Sequence, residues 1–146
     1  MEIKNIFSKI ADFTVQRIVE LFSAILALFS ILLFISLLSY SPEDPNFIFS
    51  EKTEIKNILG FQGSVISDIF FQAFGLISFL VPFTFFISGI SIFKNKKIFN
   101  LIENFFYTII YIVFGCLFFS FYHNNSFWLN INGNGGYVGD YLERSF

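Results

Sequence analysis

The side chains of this 146-residue chain that could do chemistry are few and far apart. His123 is the only histidine and Cys116 the only cysteine. His123 has no acidic or metal-ligating neighbour in sequence. Cys116 lies within an apolar run, where a thiol behaves as a small hydrophobe. A single cysteine allows neither an internal disulfide nor a cysteine-based metal cluster. Glu20, Asp68 and Glu103 sit near the ends of apolar runs, where water or headgroups solvate them, so no intramembrane proton relay is formed. No G-x-x-x-x-G-K-[ST] phosphate loop occurs. The run GNGGYVG places Val138 where a dinucleotide fingerprint has its last glycine, and no strand precedes it. It reads instead as a turn with close helix packing, for which Gly135 and Gly139 are suitably spaced. No basic stripe with interleaved aromatics offers a nucleic-acid surface. The expected catalytic, cofactor-binding and metal-binding sets are therefore all none, no cofactor is implied, and the chain by itself is expected not to be an enzyme. The uncharged polar residues Gln72, Thr84 and Thr108 are expected to hydrogen-bond between helices.

The elements that carry these residues are apolar and long. Hydrophobic residues make up 55% of the chain and charged residues 14%. A soluble domain carries about 25% charge, so lipid must solvate much of this surface. Phe, Ile and Asn all have AT-rich codons, so the 25 phenylalanines partly reflect the genome and carry no separate functional signal. An uncharged run at 21–42, LFSAILALFSILLFISLL at its apolar part, is long enough to cross about 30 Å of hydrocarbon. It is too long for a signal peptide and lacks a small-residue cleavage site. A second run at 69–93 contains Pro82, which predicts a kink. A third lies at 105–122. The expected fold is all-α and integral to the membrane: a helical hairpin bundle with spans at about 20–40, 67–93 and 101–122. The start of a fourth span is expected at about 137, where the chain looks cut. Short outer loops, compatible with a small surface helix near Ile55–Leu59, complete the multi-span domain at 18–146.

Orientation follows from the basic residues. Lys4, Lys9, Arg17, Lys94, Lys96 and Lys97 fall on one side, and Lys52 and Lys56 on the other, which places the N-terminus and the KNKK turn in the cytoplasm. KNKK could alternatively bind anionic headgroups. Tyr40, Tyr122 and Trp128 would then form an outer aromatic belt. Residues 1–17 form a cytoplasmic amphipathic segment, since Ile3, Ile6, Phe7, Ile10 and Phe13 recur at helical spacing; a plain extension of the first span fits equally. Pro42–Phe49 and Gly133–Gly139 are candidates either for outer-face contacts or for simple connecting turns.

Four segments, in order, give the chain a family resemblance. These are LLSYSPEDPNF at 37–47, NILGFQGSVISDIFFQAFG at 57–75, the Pro-interrupted span ending in a basic turn, and NGGYVGDYL at 134–142. The pattern resembles the N-terminal membrane domain of the FtsK/SpoIIIE DNA translocases over about residues 17–142. The resemblance implies an inner-membrane domain of four helices that targets the translocase to the division septum and contacts other cell-division membrane proteins. It also implies a homo-oligomer assembled through the full-length protein, an ATP-driven motor beyond a linker, and no direct nucleic-acid binding by this segment. The lipid bilayer is the partner implied by composition alone. The competing expectation is a self-contained small membrane protein, a pore or transporter subunit.

Overall fold

A computed structural model describes residues 2–45, 54–96, 99–123, 129 and 131–145. Trp128 and the whole of Asn46–Phe49 in the sequence expectations fall outside these residues. The described residues are helical or irregular, without strands. Five α-helices follow in order: α1 (Glu2–Leu38), α2 (Gly60–Phe74), α3 (Leu80–Asn95), α4 (Phe99–Tyr122) and α5 (Gly136–Ser145), with a short 3-10 segment, Gly75–Phe79, joining α2 to α3. Three stretches, Lys9–Leu38, Gly60–Asn95 and Leu101–Tyr122, are long and apolar enough to cross a membrane. α1 runs without a break from its second residue into the first of them, about 55 Å of helix in all.

Small residues let α1 and α3 pack closely. α3 runs antiparallel to α1: Phe83 meets Phe34 with ring centroids 5.1 Å apart. Gly89 lies against Ser23 and Ala27, where a Cβ would come within 3.0 Å of the Ser23 carbonyl. Lys96 reaches Glu20 at the far end. The buried hydroxyls of Ser23 and Ser30 donate to carbonyls of their own helix, at 2.7 and 2.6 Å, so the interface carries polar residues without unsatisfied groups. α4 joins α3 through Asn104 Nδ2 donating to Ser88 Oγ at 2.8 Å and through Thr84 and Tyr111, 3.0 Å apart. Thr84 thus bonds between helices as its polarity predicts, whereas Thr108 donates to Asn104 of its own helix at 2.7 Å.

The second stretch does not behave as one kinked rod. Its break lies at Gly75–Phe79, and Pro82 falls in the first turn of α3, where a missing N–H costs nothing. Gly75 takes φ +58°, a value glycine adopts freely. The physical reason is length: 36 helical residues would extend about 54 Å, far beyond the hydrocarbon. From Gly75 to Asn95 the 3-10 segment and α3 together rise about 34 Å, which matches it. α2 instead lies across the last turns of α1. Gly63, Asp68 and Phe71, spread over α2, contact Ser36, Tyr40 and Leu37 respectively. Residues 54–59, where a surface helix was compatible with the sequence, are irregular; α2 is the helix at this end. Phe71 is fully buried among Leu33, Leu37, Val81 and Leu129, with the Tyr40 ring tilted and the Phe79 ring edge-on against it.

This geometry predicts membrane depth. Spin labels at Phe61→Cys and Ile69→Cys, in a Cys116→Ala background, should report depths within about 5 Å of each other in power-saturation measurements. An α2 aligned with the membrane normal would separate them by about 12 Å.

Candidate functional site

At the Tyr40 end of the bundle, the buried polar side chains among the described residues are tied to one another and to the backbone. α1 ends in exposed carbonyls that need partners. The Asn57 side chain supplies one, its Nδ2 donating to the Ser36 carbonyl at 2.9 Å. Asn57 Oδ1 in turn accepts the Leu59 amide at 3.1 Å, and Ser36 Oγ donates to the Gly63 carbonyl at 2.7 Å. The Asp44 carboxylate, 6% exposed, accepts the backbone amides of Lys56 and Asn57, both at 2.9 Å. Ser39 Oγ accepts the Ile58 amide, and Ser64 Oγ donates to the Pro45 carbonyl. Among the described residues no buried side-chain polar atom lacks a partner. The SPEDP turn, the NILGFQG segment and the end of α1 are thus one closed hydrogen-bonded unit. Gly63 is needed at its centre, because a Cβ there would overlap Asn57 Oδ1. Glu43 and Lys56 pair on its exposed rim, holding the Glu43 carboxyl below and the Lys56 ammonium above their ordinary values.

A second close approach adjoins it. The 131–135 turn meets the α2–α3 break: the Leu76 amide donates to the Asn134 carbonyl at 2.9 Å. A Cβ at Gly75 would overlap that carbonyl, and one at Gly136 would come within 2.5 Å of the Gly75 nitrogen. Asn132 Nδ2 donates to the Gln72 carbonyl and to Gln72 Oε1, at 3.1 and 3.0 Å. Gly135 and Gly139 lie against the Cys116 carbonyl and Ser120 of α4, and Ser120 donates to Glu143. The Gly-rich run is therefore a close-packing device, which is why glycines cluster in it. α5 rests on this end of α4 through its buried Gly139.

Tyr40 links the two assemblies. Its hydroxyl donates to Asp68 Oδ1 at 3.3 Å, and Gln72 Nε2 donates to the same oxygen at 3.4 Å. Burial, followed by the adjacent Asp68 charge, pushes the Tyr40 phenol well above its ordinary value.

The residues singled out by type are not brought together for reaction. Cys116 is buried and donates its thiol to the Phe74 carbonyl at 3.4 Å. His123 enters the structure through its carbonyl, which accepts Asn134 Nδ2 at 2.6 Å. Glu103 is exposed on α4, and Glu20 lies at the opposite end between Arg17 and Lys96. Among the described residues no three His, Cys, Asp or Glu side chains are placed to hold a metal. The residues that matter to the geometry and escaped a reading by type are Asp44, Asn57, Ser36 and Asn134. Their signal was position: an Asp-Pro just after a helix end, and an Asn three residues before a glycine. Of the two segments weighed as outer contacts, the described part of Pro42–Phe49 buries Asp44, and Gly133–Gly139 packs inward on α2 and α4.

A glycine series separates backbone conformation from crowding. Gly60→Ala, at φ +65° with nothing within 4 Å, should cost about 1 kcal/mol. Gly75→Ala combines positive φ with a backbone overlap and should cost several times as much, and Asp44→Ala about 3 kcal/mol. Thermal unfolding in detergent micelles measures all three. Because folding raises the Tyr40 pKa, the neutral phenol's contribution is complete below about pH 10. It is lost as pH climbs from there toward the folded value. A spectrophotometric alkaline titration should show one phenol ionising late, a feature absent in Tyr40→Phe.

Comparison with known proteins gives this arrangement a context. A family model described as the 4TM region of DNA translocase FtsK/SpoIIIE matches residues 15–146. The DNA translocase FtsK of Rickettsia bellii (strain RML369-C) is 37% identical over 60 residues, 41% of this chain and 8% of that protein. The DNA translocase FtsK of Rickettsia prowazekii (strain Madrid E) is 36% identical over 67 residues, 46% of this chain and 9% of that protein. The chain thus matches under a tenth of the length of these curated relatives. No solved structure matches it.

Proposed function

The chain belongs to the family of the 4TM region of DNA translocase FtsK/SpoIIIE, and from that premise we propose that it is the anchoring and septum-targeting part of a translocase acting in cell division and chromosome segregation. The family match over residues 15–146 carries this reading. The multi-pass helical architecture agrees with an anchor. DNA pumping and ATP hydrolysis belong, in this reading, to parts of the translocase other than this segment, which touches lipid and protein and not nucleic acid.

The basic asymmetry supports an inner-membrane orientation with the N-terminus and the Lys94–Lys97 turn in the cytoplasm. The Tyr40 end then faces outward. Its two close-packed assemblies hold the connecting segments in fixed shape, which suits repeated contact with other division proteins in the membrane. Self-association is assigned to the full-length protein.

The test is the position of a fluorescent full-length translocase in dividing cells. With residues 15–146 present, the fusion should concentrate at the septum. With this region exchanged for an unrelated multi-span anchor, it should spread around the membrane. A septal band that survives the exchange would refute the targeting role.

A further inference from the structure

At the end of the bundle opposite the polar unit, two cations from distant parts of the chain meet one carboxylate. Arg17 Nη1 donates to Glu20 Oε2 at 2.6 Å, and Lys96 Nζ donates to Glu20 Oε1 at 2.5 Å. Each cation also lies over a phenyl ring, Arg17 over Phe13 at 4.9 Å and Lys96 over Phe93 at 4.4 Å. One carboxylate cannot neutralise both. The guanidinium and the ammonium keep N–H donors beyond those Glu20 accepts, and the Arg17 side chain is 61% exposed. Lys94, exposed in the last turn of α3, adds a third positive charge and has no ion pair among the described residues. Lys96 itself ends α3 in the left-handed conformation, φ 54°, a position that favours glycine. The chain keeps a lysine where backbone preference alone would select against one.

Depth points to the partner. The uncharged part of α1, residues 21–38, is about 27 Å long, close to the hydrocarbon thickness. Glu20 and its two cations therefore stand at the level of the lipid phosphates. The exposed carboxylates of Asp12 and Glu103, on this side, are not paired with these cations. We propose that Arg17 and Lys96 form a binding site for the phosphate of an anionic phospholipid, with Glu20 acting as the post that holds both cations in place and Lys94 adding positive charge at the same end of α3. A zwitterionic lipid brings its own ammonium group into the same space and is disfavoured there. The site goes beyond the positional bias of basic residues that orients membrane proteins, because it is preorganised by contacts between α1 and α3.

The full chain in nanodiscs of equal parts phosphatidylglycerol and phosphatidylcholine tests this, with either lipid carrying a spin label. The motionally restricted fraction should favour phosphatidylglycerol several-fold. Arg17→Gln, at a largely exposed side chain, should remove most of that preference, since one cation near a membrane surface is worth about fivefold. Arg17→Lys should keep the preference, since the charge stays. No preference in the unaltered chain, or an unchanged preference in Arg17→Gln, would overturn the proposal. So would loss of the preference on adding inorganic phosphate at constant ionic strength, which would assign the site to a free anion.

Discussion

A polar group buried at the edge of a membrane has no water to fall back on, so the protein must supply its partner. That constraint is met at the Tyr40 end by Asp44 and Asn57. The carboxylate of Asp44 takes two backbone amides that belong to no helix, and the amide of Asn57 takes a carbonyl that α1 cannot use itself. Once these bonds form, the chain leaving α1 is turned back at a fixed height, and α2 begins within reach of Ser36. α2 then crosses the end of α1 instead of descending beside it. The break at Gly75 follows, because α3 must start its descent from wherever α2 ends.

The second assembly depends on the first. With α2 laid across α1, the α2–α3 break comes to the position where the Gly-rich turn can bond to it through Leu76 and Asn134. Glycines at 75 and 136 let two backbones touch, and those at 135 and 139 bring α5 onto α4. Tyr40, Asp68, Gln72 and Asn132 form a hydrogen-bonded line between the two assemblies. The segments whose residues resemble the FtsK/SpoIIIE family most specifically are thus the segments that set the architecture at this end. Their residues build a shape at this end of the bundle.

The membrane character, the helical class and the three apolar stretches were legible in the sequence, since charge-free length alone decides whether a helix can cross. The break in the second stretch was placed at Pro82, because proline is the usual cause of a kink. Proline is harmless in a first turn, however, and the glycine seven residues earlier carries the bend. The partners of Glu20 and Asn57 could not be read from type or spacing. Lys96 is 76 residues from Glu20, and the acceptor of Asn57 is a backbone carbonyl that every residue possesses. Gln72 was expected to bond between helices and does bond away from its own helix, to a turn. Pattern reveals which surfaces are apolar, whereas packing decides which polar groups meet.

Hydrogen exchange at single amides tests the central claim most directly. The amides of Lys56 and Asn57 lie in an irregular segment, where exchange is ordinarily fast. Bonded to a buried carboxylate, they should exchange as slowly as amides inside α2, and Asp44→Ala should release both together while α3 and α4 stay protected. Fast exchange at Lys56 and Asn57 in the unaltered chain would contradict the account, for it would mean that Asp44 does not fix the segment that turns the chain from α1 into α2.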